Sequence, residues 1–189
     1  MKNVVRRLFV EKKKGFDVEA QHLCKNIKDN LGIHGLEGIR VINRYDVSGI
    51  SDDEFQKSKT TIFSEPNVDR VYDEVLEIND EERILAIEFL PGQYDQRADS
   101  ASQCIQILTQ KEKPLVNVAK LMLLKGDINE AEIAKAKAKE LEILGGSKEP
   151  VIVNQDNSTN DNSTNSSSTS VTGKSTVPLA YSDAYYFGT

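Results

Sequence analysis

The residues best placed by type to do chemistry lie in one run, Gly92-Gln93-Tyr94-Asp95-Gln96-Arg97-Ala98-Asp99-Ser100. The run sits between an apolar stretch, Ile84 to Leu90, and a segment whose apolar residues recur at helical spacing from Ala101 onward. The start of a helix presents unpaired N–H groups and the positive end of the helix dipole, so an anion or a partner's carboxylate is a suitable occupant. Gln93, Asp95, Gln96, Arg97, Asp99 and Ser100 are therefore the candidate interface or anion-binding residues. The same side chains also have a structural use. Asp95, Asp99 and Ser100 can cap the helix themselves, and Arg97 can pair with Asp95 or Asp99.

Other chemistries find less support. Gly173-Lys174-Ser175 has the end of a phosphate-binding loop, but that loop needs a glycine where Ser168 stands. His22 and His34 have no carboxylate or cysteine at ligand spacing, so no metal site is expected. Cys24 and Cys104 both fall on the expected apolar faces of helices, where a free cysteine acts as a small buried hydrophobe rather than a nucleophile.

The elements that must hold these residues follow from periodicity. Val4, Leu8 and Val10 alternate with charged residues, the pattern of a half-buried strand. Asp17 is the expected cap of a helix carrying Ala20, Leu23, Cys24, Ile27 and Leu31 on one face, with Gly32 as its stop. A second strand is expected over Ile39 to Tyr45. Ser51 and Glu54 then form a capping box for a short helix with Phe55, Ile62 and Phe63 inward, broken by Pro66. Val68 to Ile78 reads as a third extended segment, with Val71 and Val75 in register.

The pattern then begins again. Ile84 to Leu90 is apolar enough for a strand buried on both faces. Ser100 and Gln103 can open the next helix, with Ala101, Cys104, Ile105 and Leu108 as its stripe. Val116 to Leu124 is a strand, and Asp127 with Glu130 starts a last helix that turns Ala134, Ala138 and Leu141 inward and closes at Gly145 and Gly146. The expected fold is α+β: two ferredoxin-like βαβα pseudo-repeats, 1–80 and 81–144, with an antiparallel or mixed sheet and helices packed on it. Residues 145–189 are expected to form a disordered tail, because their Asn, Ser and Thr run cannot bury enough apolar surface to offset its ordering entropy. Its three N-x-S/T sequons and closing Tyr181, Tyr185, Tyr186 and Phe187 are given no role.

The chain has 189 residues, 38% of them apolar, which allows one ordinary core or two small ones packed together. A net charge of -6 argues against a nucleic-acid partner, and the one basic run, Lys12 to Lys14, reads as a solvated strand end. No stretch approaches the ~18 apolar residues of a membrane span, and Met1 to Glu11 lacks the apolar core of a secretory signal. A cytoplasmic protein is expected.

One stretch is specific enough to compare with a family. Leu90-Pro91-Gly92-Gln93-Tyr94-Asp95-Gln96-Arg97-Ala98-Asp99-Ser100-Ala101-Ser102-Gln103-Cys104-Ile105-Gln106 resembles phosphoribosylformylglycinamidine synthase, in particular its long single-chain form. Arg7 to Ala20, Asn43 to Val47 and Ile62 to Pro66 support the resemblance, which covers Met1 to about Leu144. It implies a front domain similar to a fused pair of the small subunit of multi-subunit versions. The family is an ATP-dependent C–N ligase of purine biosynthesis that draws ammonia from glutamine. ATP and magnesium are thus implied for the full-length enzyme, whose ATP, substrate and glutaminase sites lie in later domains. Beyond Leu144 the chain departs from the family. The resemblance implies a non-catalytic interaction domain or fragment that holds no cofactor itself and packs against ligase and glutaminase domains, in cis or in trans. Two alternatives stay open: a stand-alone regulatory or scaffold protein, and a small enzyme using residues 92–100.

Overall fold

The computed structural model describes residues 4–89, 92–143, 148–153 and 175–177. In chain order the elements are β1 (Val5–Lys12), α1 (Val18–Leu31), β2 (Leu36–Ser48), α2 (Asp52–Ser58) with a π-helical extension (Lys59–Phe63), β3 (Asp69–Asp73), β4 (Leu76–Ile78), β5 (Glu82–Phe89), α3 (Gln96–Thr109), β6 (Leu115–Gly126), α4 (Glu130–Ile143), β7 (Lys148–Val153) and β8 (Ser175–Val177). The expected α+β class is found. Strands β3-β1-β2-β6-β5 form an antiparallel sheet in that order, and β7 continues it from the free edge of β5. Strands β4 and β8 pair separately. Both β7 and β8 fall in the stretch beyond residue 144 that composition alone assigns to a tail. Residues 154–174, most of the polar run, lie outside the described residues, as do the closing aromatic residues, Gly145, Gly146 and Gly173-Lys174.

The helix boundaries follow local chemistry, with three departures from expectation. Gly32 ends α1 in the left-handed conformation at φ 66°, as a C-cap glycine does. Asp17 does precede α1, but its carboxylate accepts from the Gly15 N–H and the Gln21 amide instead of capping the first turn. The Ser51–Glu54 box forms in full, with the Ser51 hydroxyl accepting from the Glu54 N–H and the Glu54 carboxylate accepting from the Ser51 N–H. Helix α3 starts at Asp95 rather than Ser100, since the Asp95 carboxylate accepts from the N–H groups of Arg97 and Ala98 and leaves Ser100 inside the helix. Helix α4 is boxed by Asn129 and Glu132, two positions after the expected Asp127 and Glu130.

All four helices lie on one face of the sheet, and the first helix of each half covers strands of the other half. Ile105 and Ala101 of α3 pack on Leu8, Val10, Tyr45 and Val47 of β1 and β2, with Phe55 and Phe63 beside them. Leu23 of α1 packs on Leu85, Ile87 and Met122, while Ile27 meets Leu124, Ile133 and Ala136. The opposite face buries Phe9, Ile42, Ile84, Ala86, Leu121 and Leu123 under Leu76 and Ile78 of β4. This covering corrects the expectation for β1, whose residues Arg7 to Glu11 are buried on both faces. Its charged positions are not solvated: the Arg7 guanidinium donates twice to Asp46, and Arg40 donates twice to Glu11 and reaches Glu82. Burying ions is costly unless each has its counterpart, and here each charge has one.

The expected single extended segment over Val68 to Ile78 is two strands. At Glu74, φ is 59°, and this turn takes the chain off the sheet edge, fixed by reciprocal bonds between Glu74 and the Arg7 backbone. Leu76 and Ile78 are buried as a result, whereas Val71 and Val75 are 37% and 36% exposed. The basic run is also tied down: Lys12 pairs with Asp69, and the Lys13 ammonium donates to the carbonyls of Pro66 and Asn67.

Two helix faces are rotated from expectation. On α3 the buried side is Ala101, Ser102 and Ile105, while Cys104 is exposed and Leu108 is 44% exposed. Ser102 takes the inward position because its hydroxyl donates to the Pro114 carbonyl, which satisfies it. On α4, Ile133, Ala136 and Glu140 are buried, and Ala134 and Ala138 are exposed. Cys24, by contrast, is partly buried among the α1 core residues, as its spacing suggests.

These faces can be tested on α3 alone. Ile105→Asp places an unpaired charge at a position with no exposure and should cost more than ~4 kcal/mol, whereas Ile107→Asp, at 75% exposure, should stay within about 0.5 kcal/mol. Leu108→Asp should resemble Ile107→Asp, and urea unfolding of the three variants would show it. Gly126→Ala is a backbone counterpart. Gly126 has φ 139° and lies against the Gly35 carbonyl and the Glu37 nitrogen, so the added methyl should cost roughly 1–3 kcal/mol in the same assay.

Candidate functional site

A cleft of about 490 Å³ opens on the helix-bearing face, over the middle of the β2–β6 ladder and between the first turns of α1 and α3. Its apolar wall is Ile87, Phe89 and Val118; its polar residues include Glu19, Asn43, Asp95, Gln96, Arg97, Ser100 and Lys120. Four of the six residues proposed from sequence thus meet there: Asp95, Gln96, Arg97 and Ser100. The other two do not line the cleft. Asp99 belongs to a surface network, accepting from the Tyr94 hydroxyl at 3.1 Å, the Gln103 amide at 2.6 Å and the Lys113 ammonium. That ammonium contact, foremost, holds the Asp99 carboxyl below its ordinary value. Gln93 precedes the helix on a part-buried turn.

The roles differ from the simple anion site at the start of α3. Asp95 already satisfies the first free N–H groups of that helix, at 2.9 and 3.1 Å, so the capping use of this residue is realised. Arg97 pairs with neither Asp95 nor Asp99. Its Nη1 donates instead to the Tyr45 hydroxyl at 3.4 Å, on a ring that packs against Phe63.

The strongest electrostatic feature of the cleft is Lys120, in the middle of β6. Its ammonium donates to Glu140 of α4 at 2.6 Å and pairs with Glu19 of α1 at 2.8 Å. Burial pushes its pKa down, but the two carboxylates more than offset that and the net shift is upward. Glu140 is 3% exposed and depends on this partner, whereas Glu19 is exposed. Asn43 stands directly opposite Lys120 in the ladder, and its carboxamide makes no hydrogen bond among the described residues. Sequence reasoning missed Lys120, Asn43, Glu19 and Glu140. A signal was available for Lys120, the single charged residue in the mostly apolar Val116 to Leu124. Glu140, in turn, shares the i, i+3, i+7 stripe of Ile133 and Ala136.

Among the described residues no group of His, Cys, Asp and Glu is arranged to hold a metal ion, and no helix is long and apolar enough to cross a membrane.

Removing Lys120 leaves Glu140 buried without a counter-ion. Lys120→Met should therefore lose about 3 kcal/mol at neutral pH. Adding Glu140→Leu should recover most of the loss, because it removes the unpaired buried charge, and urea denaturation curves of the single and double variants would decide it.

Compared with protein-family models, curated proteins and solved structures, the chain matches none of them.

Proposed function

We propose that this chain is a front domain of the phosphoribosylformylglycinamidine synthase type, acting in the cytoplasm by packing against ligase and glutaminase domains rather than by catalysis. The observation that carries this reading is an internal recurrence. Val5 and Glu82, 77 positions apart, begin β1 and β5. Gly32 and Gln110, 78 apart, are the left-handed C-caps of α1 and α3. The boxes Ser51–Glu54 and Asn129–Glu132 are 78 apart as well. Strand order agrees, because β3-β1-β2 read from one edge corresponds to β7-β5-β6 read from the other.

A chain made of two ferredoxin-like copies of one small subunit, joined head to tail, accounts for all of these at once. The long, unusual stretch from Leu90 to Gln106 points to the same family independently. In this reading ATP, magnesium and the glutaminase nucleophile belong to the partner domains. The two cysteines here suit neither nucleophile nor ligand: Cys24 is part-buried in a core, and Cys104 lies on a bare helix surface.

The test is complementation. A ligase of this family lacking its own front domain should regain glutamine-dependent formation of formylglycinamidine ribonucleotide when the purified chain is added. The chain alone, with ATP, magnesium and ammonia, should form none above a mock preparation. Turnover by the chain alone would overturn the non-catalytic part of the reading. Failure to bind or restore the truncated ligase would overturn the family part.

A further inference from the structure

We propose that the cleft between α1 and α3 binds a small organic oxyanion, a carboxylate or phosphate monoester with an apolar portion, and that the Glu19 carboxylate is its displaceable internal stand-in. The two carboxylates on Lys120 are not equivalent. Glu140 is buried and keeps its place because it has no solvent to turn to. The Glu19 side chain is 62% exposed and can rotate into water, and an exposed ion pair holds its partners weakly.

When Glu19 leaves, three groups around its position lack an acceptor or have capacity to spare. Lys120 regains a donor. Asn43 already has an unused carboxamide. Among the described residues the Arg97 guanidinium donates only to Tyr45, through a long bond, and forms no ion pair, so most of its five donors remain for an oxyanion. The first turn of α1 adds its positive dipole end to the same wall, because Asp17 does not cap it. Ile87 and Val118 line the apolar part of the cleft and suit the hydrocarbon portion of a ligand. The volume is in the range that small-molecule sites occupy.

The proposal predicts opposite responses from two exposed side chains that face the same space. Isotope-labelled full-length chain would be titrated with butyl phosphate and, separately, with butyrate, following backbone amide shifts and using sodium chloride as the ionic-strength control. Saturable shifts are expected at Asn43, Lys120 and the first turn of α3 with at least one probe, and whichever probe saturates identifies the oxyanion. Arg97→Gln should weaken that binding about fivefold, and Glu19→Gln should tighten it by about the same factor, since it removes the competing internal anion. The unperturbed remainder of each spectrum would show that both variants are folded. Shifts that fail to saturate, or that match those of sodium chloride, would overturn the proposal. So would Glu19→Gln leaving the affinity unchanged or lowering it.

Discussion

The antiparallel ladder between β2 and β6 is the constraint on which the rest of the molecule depends. It runs from Leu36 opposite Gly126 to Ser48 opposite Leu115, and it joins two three-stranded arrays that would each present a raw edge without it. Both faces of the sheet are built across this seam. On one, α3 covers β1 and β2 while α1 covers β5 and β6; on the other, Phe9 and Ile42 meet Leu121 and Leu123 under β4. The cores on both faces therefore draw on strands and helices from both sides of the ladder. The start of the ladder is correspondingly tight. Gly35 and Gly126 leave room for backbone to touch backbone where β2 enters and β6 exits, and a side chain at either position would collide with the other strand's main chain or with Asp127.

Much of this was legible in the residues, and the limits have physical causes. Local signals transferred well: the Ser51–Glu54 box, the Gly32 stop and the apolar run in β5 depend on chemistry within a few positions. What periodicity cannot reveal is which polar residue finds a partner far along the chain. Arg7 and Glu11 look solvated in sequence, yet Asp46 and Arg40, more than two dozen positions away, let them be buried. Ser102 displaced the Cys104 side of α3 for the same reason, since a carbonyl at Pro114 satisfies its hydroxyl. The candidate site was half legible. Its loop stood out as a dense polar run, but its central cation is one lysine in an apolar strand, and the helices that supply Glu19 and Glu140 meet it only through tertiary packing.

Charge is distributed unequally between the two faces of the sheet. On the β4 side, Arg7, Arg40 and Arg44 pair with Asp46, Glu11, Glu82 and Glu88, and each planar guanidinium bridges strands. Such arrays favour one register over its neighbours, because a slip of one residue would turn every ion to the wrong face. On the helix side Lys120 is held by Glu140 and Glu19, whereas Arg97 has only the Tyr45 hydroxyl among the described residues. A face of interlocked ion pairs resists rearrangement, while one with an uncommitted amide and a loosely held arginine can accommodate something new.

Asn43 and Lys120 are direct partners in the central ladder. Side chains opposite each other in an antiparallel pair lie about 5 Å apart, so an acidic residue at position 43 would draw the Lys120 ammonium across the strands. The neutral amide makes no such claim. It leaves the ammonium to Glu140 and Glu19, and so lets one lysine tie the central sheet to α4 and α1 at once.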